Sequence, residues 1–156
     1  MSEGGLFAQG EAFNKVGVEL YRLLSPGDER IVLSASSLVS VLQGQILAVN
    51  PTGQYATPEG RVNAVTGSEA LFLAVRELRE TSYQEGLGTW YGLRVEVTPS
   101  GGATADYNYD DEPTWDPPVD PEAYVLDQRT FPRDEDERPD WLVERLAQGG
   151  FETAQG

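Results

Sequence analysis

The side chains best equipped for chemistry crowd into one stretch, Asp106-Tyr107-Asn108-Tyr109-Asp110, continued by Asp111, Glu112, Trp115 and Asp116. Oxygen-bearing residues at 106, 108 and 110 imitate the opening of a calcium loop, whose positions 1, 3 and 5 converge on the ion. Such a loop also needs glycine at position 6 to turn the backbone and glutamate at position 12 to close the cage. Those places hold Asp111 and Pro117, so the ligand set fails where the geometry is decided. No metal and no other cofactor is expected. Alternating polar residues arise equally on any strand with one wet face.

Paired carboxylates serve glycosidase chemistry, but in a chain with 26 acidic residues pairs occur without a function. The chain has no histidine and no cysteine. The usual general base, the commonest zinc ligand, His-containing triads, disulfides and thiolate metal sites are thereby removed. No Walker loop, GxSxG elbow or GxGxxG run occurs. The single lysine, Lys15, has no recognisable site around it. The expectation is a protein that binds and does not catalyse.

The element that must position the acidic stretch is a β-hairpin over 89–109. Tyr91, Leu93, Val95 and Val97 alternate with Trp90, Arg94, Glu96 and Thr98, the period of a strand with one buried face. Pro99-Ser100-Gly101-Gly102 supplies the turn, and Ala103, Ala105, Tyr107 and Tyr109 resume the alternation. The pattern sets Trp90 on the polar side, and Trp115 lies among prolines and acids. Both indoles read either as exposed binding anchors or as rings packed beneath the C-terminal segment.

Around the hairpin the pattern predicts an α+β fold, an antiparallel sheet of about four to six strands with helices packed on it. Apolar residues at helical spacing predict a helix over 11–24, after a loose glycine-rich start. Strands follow at 30–36 and within 38–49, and an edge strand at 54–65. Thr66-Gly67-Ser68-Glu69 reads as a capping box opening a helix over 67–81. Asp120-Pro121-Glu122 opens a short helix ending near 129, and a last short helix spans 139–146. Residues 1–148 form a single domain by length, and 149–156 read as a disordered tail.

The net charge is −15, and residues 106–140 hold 13 acids against 3 arginines, a net of −10. Such a field repels nucleic acid and anionic lipid and attracts basic partners; the bland reading is a solvated face. No basic segment followed by an apolar core precedes the domain, and no apolar run approaches a membrane span. A soluble cytoplasmic protein is expected, one that engages neither nucleic acid nor membrane.

The motifs Trp90-x-x-Leu93-x-Val95, the Gly101-Gly102 turn, Asp106-Tyr107-Asn108-Tyr109-Asp110-Asp111 and Trp115 resemble those of YezG-like immunity proteins of polymorphic toxin systems. Phe131-Pro132-Arg133 and Pro139-Asp140-Trp141-Leu142 look like the actinobacterial variant of that family. The likeness covers about Thr89 to Leu146, and the Pro-rich insert after Trp115 departs from it. What the resemblance implies is an antitoxin that binds and inhibits a cognate basic toxin domain, in many cases a nuclease. The residues expected to touch that partner are Asp106, Asp110, Asp111, Glu112, Trp115, Asp116 and Trp90, with Asp134, Glu135, Asp136 and Glu137 as a second patch. The alternatives are a general acidic interaction module or DNA mimic without a toxin, and a carboxylate-based hydrolase.

Overall fold

Alternation along β1 (Arg30–Leu38) sends Ile31, Leu33 and Ala35 to one face and Ser34 and Ser36 to the other, and neighbouring strands repeat the division. The computed structural model describes residues 3–151. In it, β2 (Val41–Val49), β3 (Tyr55–Thr57), β4 (Gly60–Val65), β5 (Gly92–Val97) and β6 (Ala103–Asn108) join β1 in one sheet, ordered β3-β4-β2-β1-β5-β6. Every pairing is antiparallel. Helices α1 (Glu3–Tyr21) and α2 (Glu69–Thr81) cover the apolar face. Helices α3 (Pro121–Thr130) and α4 (Asp140–Gln148), with a 3-10 turn at Glu135–Glu137, close one end. The α+β class and a sheet of six strands match the expectation.

Several boundaries differ for identifiable reasons. Helix α1 starts at Glu3 and stops at Tyr21, so the glycine-rich opening is helical. Ala12, Val16 and Leu20 are fully buried against the sheet, and that burial outweighs the poor helix propensity of glycine. Residues 54–65 make two strands, because Pro58-Glu59 turns the chain and Thr57 bonds the Gly60 carbonyl at 2.6 Å. The cap of α2 is Ser68, not Thr66: its Oγ accepts from the Leu71 amide at 3.0 Å. Asp120 caps α3 as expected, accepting from the Glu122 amide. Gly149 to Phe151, expected in the tail, finish α4, with the Phe151 amide bonded to the Leu146 carbonyl at 2.9 Å. Residues 152–156 lie outside the described ones.

Two cores result. The larger lies between the sheet and α1 and α2, and the smaller gathers Leu38, Tyr91, Tyr124, Val125, Leu142 and Leu146 around α3 and α4. A β-bulge divides the hairpin's aromatics between them. The Tyr91 amide bonds the Asn108 carbonyl, which the ladder already pairs with Gly92, so the extra residue flips the alternation. Trp90 therefore enters the larger core and Tyr91 the smaller.

A buried ion pair joins the cores. Arg79 on α2 and Asp127 on α3 are 2% and 3% exposed and meet through two hydrogen bonds, of 2.5 and 2.9 Å. The Arg79 Nε–H also bonds the Trp90 carbonyl at 2.7 Å, and the Val39 amide donates to Asp127 at 2.7 Å. Both charges are thus met on several sides, which burial of ions requires. A second buried arginine, Arg133, donates to the carbonyls of Thr89, Tyr109 and Glu137 and lies 4.9 Å from the Tyr91 ring.

Asp127→Ala leaves Arg79 without its counter-ion and should lower the unfolding free energy by about 3–5 kcal/mol, read by urea denaturation. Arg79→Met combined with Asp127→Leu should recover most of that loss. A single-variant cost below about 1 kcal/mol would mean that the pair does not join the cores. Burial pushes the Tyr91 phenol from 10.0 up to about 12, against the lowering pull of Arg133. Its neutral form is therefore favoured by folding, so the contribution is whole below pH 10 and fades as pH climbs toward 12. Stability should fall in that window by about 1.4 kcal/mol per pH unit from this group. Denaturant midpoints at stepped alkaline pH, compared with those of Tyr91→Phe, measure it.

Candidate functional site

The face of the sheet opposite α1 and α2 is polar where β2, β1, β5 and β6 run side by side. Register places Gln43 beside Ser36 and Gln45 beside Ser34. It also sets Arg94 across from Ser34 on one flank and Asp106 on the other. Gly92, opposite Asn108, leaves the floor without a side chain there. The Pro-rich segment after β6 folds back as a wall. The Asp116 amide donates to the Gln43 side-chain carbonyl at 3.0 Å, and the Gln43 amide group donates to the Pro117 carbonyl at 3.3 Å. The result is a shallow cleft of about 690 Å³ that holds Asp106 and Asp116.

Asp110 and Asp111 continue this acidic surface just beyond β6. They are held by their backbones, not their side chains. Asn108 accepts from the Asp110 and Asp111 amides at 3.3 and 2.9 Å and donates to the Asp111 carbonyl at 2.9 Å. The Trp141 indole N–H bonds the Asp110 carbonyl at 2.7 Å. Arg133 ties the 3-10 turn to the same end, since one guanidinium donates to the carbonyls of both Tyr109 and Glu137. Asp134, Glu135, Asp136 and Glu137 are all exposed there. Asp106, Asp110, Asp111 and Asp116 are thus brought together, with the second patch at their flank.

Three expected contact residues have other employment. Trp90 is fully buried in the larger core, its indole N–H 3.2 Å from Ser82 Oγ, because the bulge removes it from the strand's polar face. It is a core residue and not an anchor on the surface. Trp115 turns inward, donating to the Tyr124 hydroxyl at 2.9 Å and packing on the α3–α4 core. Of the two readings open for it, packing is the one realised. Glu112 pairs with Arg145 of α4 at 2.6 Å, at the mouth of a separate hollow lined by Trp115 and Tyr124.

Sequence reasoning missed the floor of the cleft, Ser34, Ser36, Gln43, Gln45 and Arg94. The signal was available: Ser34 and Ser36, and Gln43 and Gln45, are spaced by two within otherwise apolar strands. Chemically the cleft offers hydrogen-bonding groups, two carboxylates and one guanidinium, Arg94, which lies a loose 3.5 Å from Glu96. Among the described residues no three His, Cys, Asp or Glu side chains gather as metal ligands. No described helix is long and apolar enough to cross a membrane. Compared with known proteins, the chain matches no family model and no curated sequence.

Replacing Asp110 and Asp111 together with alanine should change stability by less than about 0.5 kcal/mol, because only their backbones are held. Trp115→Ala, which strips a packed ring from the smaller core, should cost about 2 kcal/mol. Chemical denaturation of the variants separates the two roles, and equal costs would contradict this division.

Proposed function

We propose that this chain is an immunity protein: it binds a cognate toxin domain of basic surface, a nuclease being the fitting case, and blocks it. The observation that carries the reading is the continuous run of carboxylates at one margin of the open sheet face. Asp106 and Asp116 stand in the cleft, Asp110 and Asp111 stand beyond it, and none of the four makes an ion pair among the described residues. Acids kept for structure are engaged, as Asp127 is with Arg79 and Asp28 is with Asn50. Free carboxylates on a rigid margin are suited to meeting lysine and arginine on another protein. Nuclease domains need cationic surface to hold phosphate, and a compact anion that covers that surface excludes the substrate and associates quickly.

The reading assigns contact to Asp106, Asp110, Asp111 and Asp116, with Glu135, Asp136 and Glu137 at the rim. It withdraws Trp90 and Trp115, which the cores use, and leaves Glu112 to Arg145. No catalytic group is required, and the protein acts in the cell that makes the toxin.

The test is co-purification with the C-terminal domain of a large secreted protein encoded beside it, followed by stopped-flow association at stepped salt. Asp106→Asn, Asp110→Asn, Asp111→Asn and Asp116→Asn combined should slow association at low salt by about tenfold or more and flatten its salt dependence. Unchanged rates would remove this surface from the interface. Similar affinity for many unrelated basic proteins would replace the immunity reading with that of a general acidic module.

A further inference from the structure

The sheet ends, on the side away from β3, in β6, whose outer edge pairs with no other strand among the described residues. The hairpin determines which backbone groups are free there. The Thr98 amide bonds the Gly102 carbonyl at 3.0 Å, and Gly101, at φ +97°, completes the turn. Counting along the register, the hydrogen-bonded pairs are Glu96 with Thr104, Arg94 with Asp106 and Gly92 with Asn108. The amides and carbonyls of Ala103, Ala105 and Tyr107 therefore point outward. Among the described residues no backbone group outside the hairpin bonds them.

Edges of this kind are ordinarily blunted by proline, lysine, a bulge or a covering element. β6 contains neither proline nor lysine, its one charged side chain, Asp106, stands on the open face, and the hairpin's bulge precedes β5 at Tyr91. The opposite edge, β3, is only three residues long.

The two sides of the β6 edge differ in character. Toward the helices runs an apolar groove of about 260 Å³, lined by Phe13, Gly17, Val18 and Tyr21 of α1 with Val97 and Ala103. Val18 and Tyr21, one turn apart on α1, are 45% and 49% exposed and border this groove. Toward the open face stand Thr104, Asp106 and Asn108, with Asp110 and Asp111 immediately after the strand. A strand laid along β6 would meet the apolar groove near Ala103 with the side chains on one face, and Thr104, Asp106 and Asn108, one of them a carboxylate, with those on the other.

We propose that β6 is a docking edge that takes an extended segment of a basic partner protein as a seventh strand. Its alternate side chains are apolar toward α1 and lysine or arginine toward Asp106. Main-chain bonds to Ala103, Ala105 and Tyr107 supply affinity, and the two unlike faces select the sequence. The competing occupant is a second copy of this chain. Charge argues against it, because molecules of net −15 repel and a copy's β6 brings no cation to Asp106. The proposal rests on the function proposed above only for the basic character of the partner.

The probe is a short synthetic peptide of alternating valine and arginine, with the same peptide N-methylated at alternate residues as the control. Bound to isotope-labelled protein, the first peptide should slow amide exchange at Ala103, Ala105 and Tyr107 by about tenfold or more, and the control should not. Ala105→Pro removes an outward donor and spares the β5 ladder, so it should keep the fold and weaken peptide binding by about tenfold. Unslowed exchange at those amides, equal binding of the N-methylated peptide, or shifts confined to Ser34 and Gln43 in the cleft would overturn the docking edge. Protection of the same amides without peptide, rising with protein concentration, would assign the edge to a second copy and overturn it too. A toxin domain that fails to bind the wild-type chain sinks the immunity reading and leaves the peptide result standing. A peptide that leaves the three amides exposed sinks the docking edge and leaves toxin binding untouched.

Discussion

Helices α2 and α3, which contribute to separate cores, are locked together by one buried charge pair. Arg79 belongs to the layer of α2, Asp127 to the end cap formed by α3 and α4, and their bidentate contact is shielded from water. Ions so placed are tolerated only when every lone pair and proton finds a partner. The chain supplies them from the Trp90 carbonyl and the Val39 amide. Those two groups lie on the approach to β5 and in the turn after β1. One interaction thereby sets how the hairpin, the central strand and the C-terminal helices sit together, and the acidic margin is located by all three.

Arg133 is a second buried cation, without a carboxylate partner. Its two terminal nitrogens donate to three carbonyl oxygens and its guanidinium lies over the face of Tyr91, while its Nε–H has no partner among the described residues. Gly88 makes room for it: the backbone there has φ +83°, and a Cβ would fall 2.5 Å from the arginine side chain. In the C-terminal part of the molecule Arg133 is interior, and the acids of the 3-10 turn beside it are exposed. The interior arginines are spent on architecture, which leaves the surface acids of 106–137 with few internal counter-charges to quench them.

Much of this fold was legible from residue order. Alternation at Leu93, Val95 and Val97, the Gly101-Gly102 turn and the Asp120 cap each have one strong local meaning, and each is realised. What escaped depends on contacts between distant residues. Arg79 follows Leu71, Val75 and Leu78 on the apolar stripe of α2, a position that hints at burial, but nothing local names Asp127, 48 residues away, as its partner. Trp90 was placed on the wrong face because a single-residue bulge resets a period-two count and leaves no compositional trace. Within the candidate surface, the acids of 106–116 were visible as a charge run. The polar floor contributed by β1 and β2 was not, since only sheet order lines Ser34 and Gln45 up with Arg94 and Asp106 across one cleft.

The acidic segment is gripped by its main chain: Asn108, Trp141 and Arg133 hold carbonyls and amides at 109–111, and the carboxylates of 110 and 111 hold nothing among the described residues. Residue identity at those positions is consequently independent of the architecture. Charge, size or polarity can change at these positions while every strand and helix stays where it is. Folding is thus recorded on the main-chain atoms of these residues, and their side chains are left out of it.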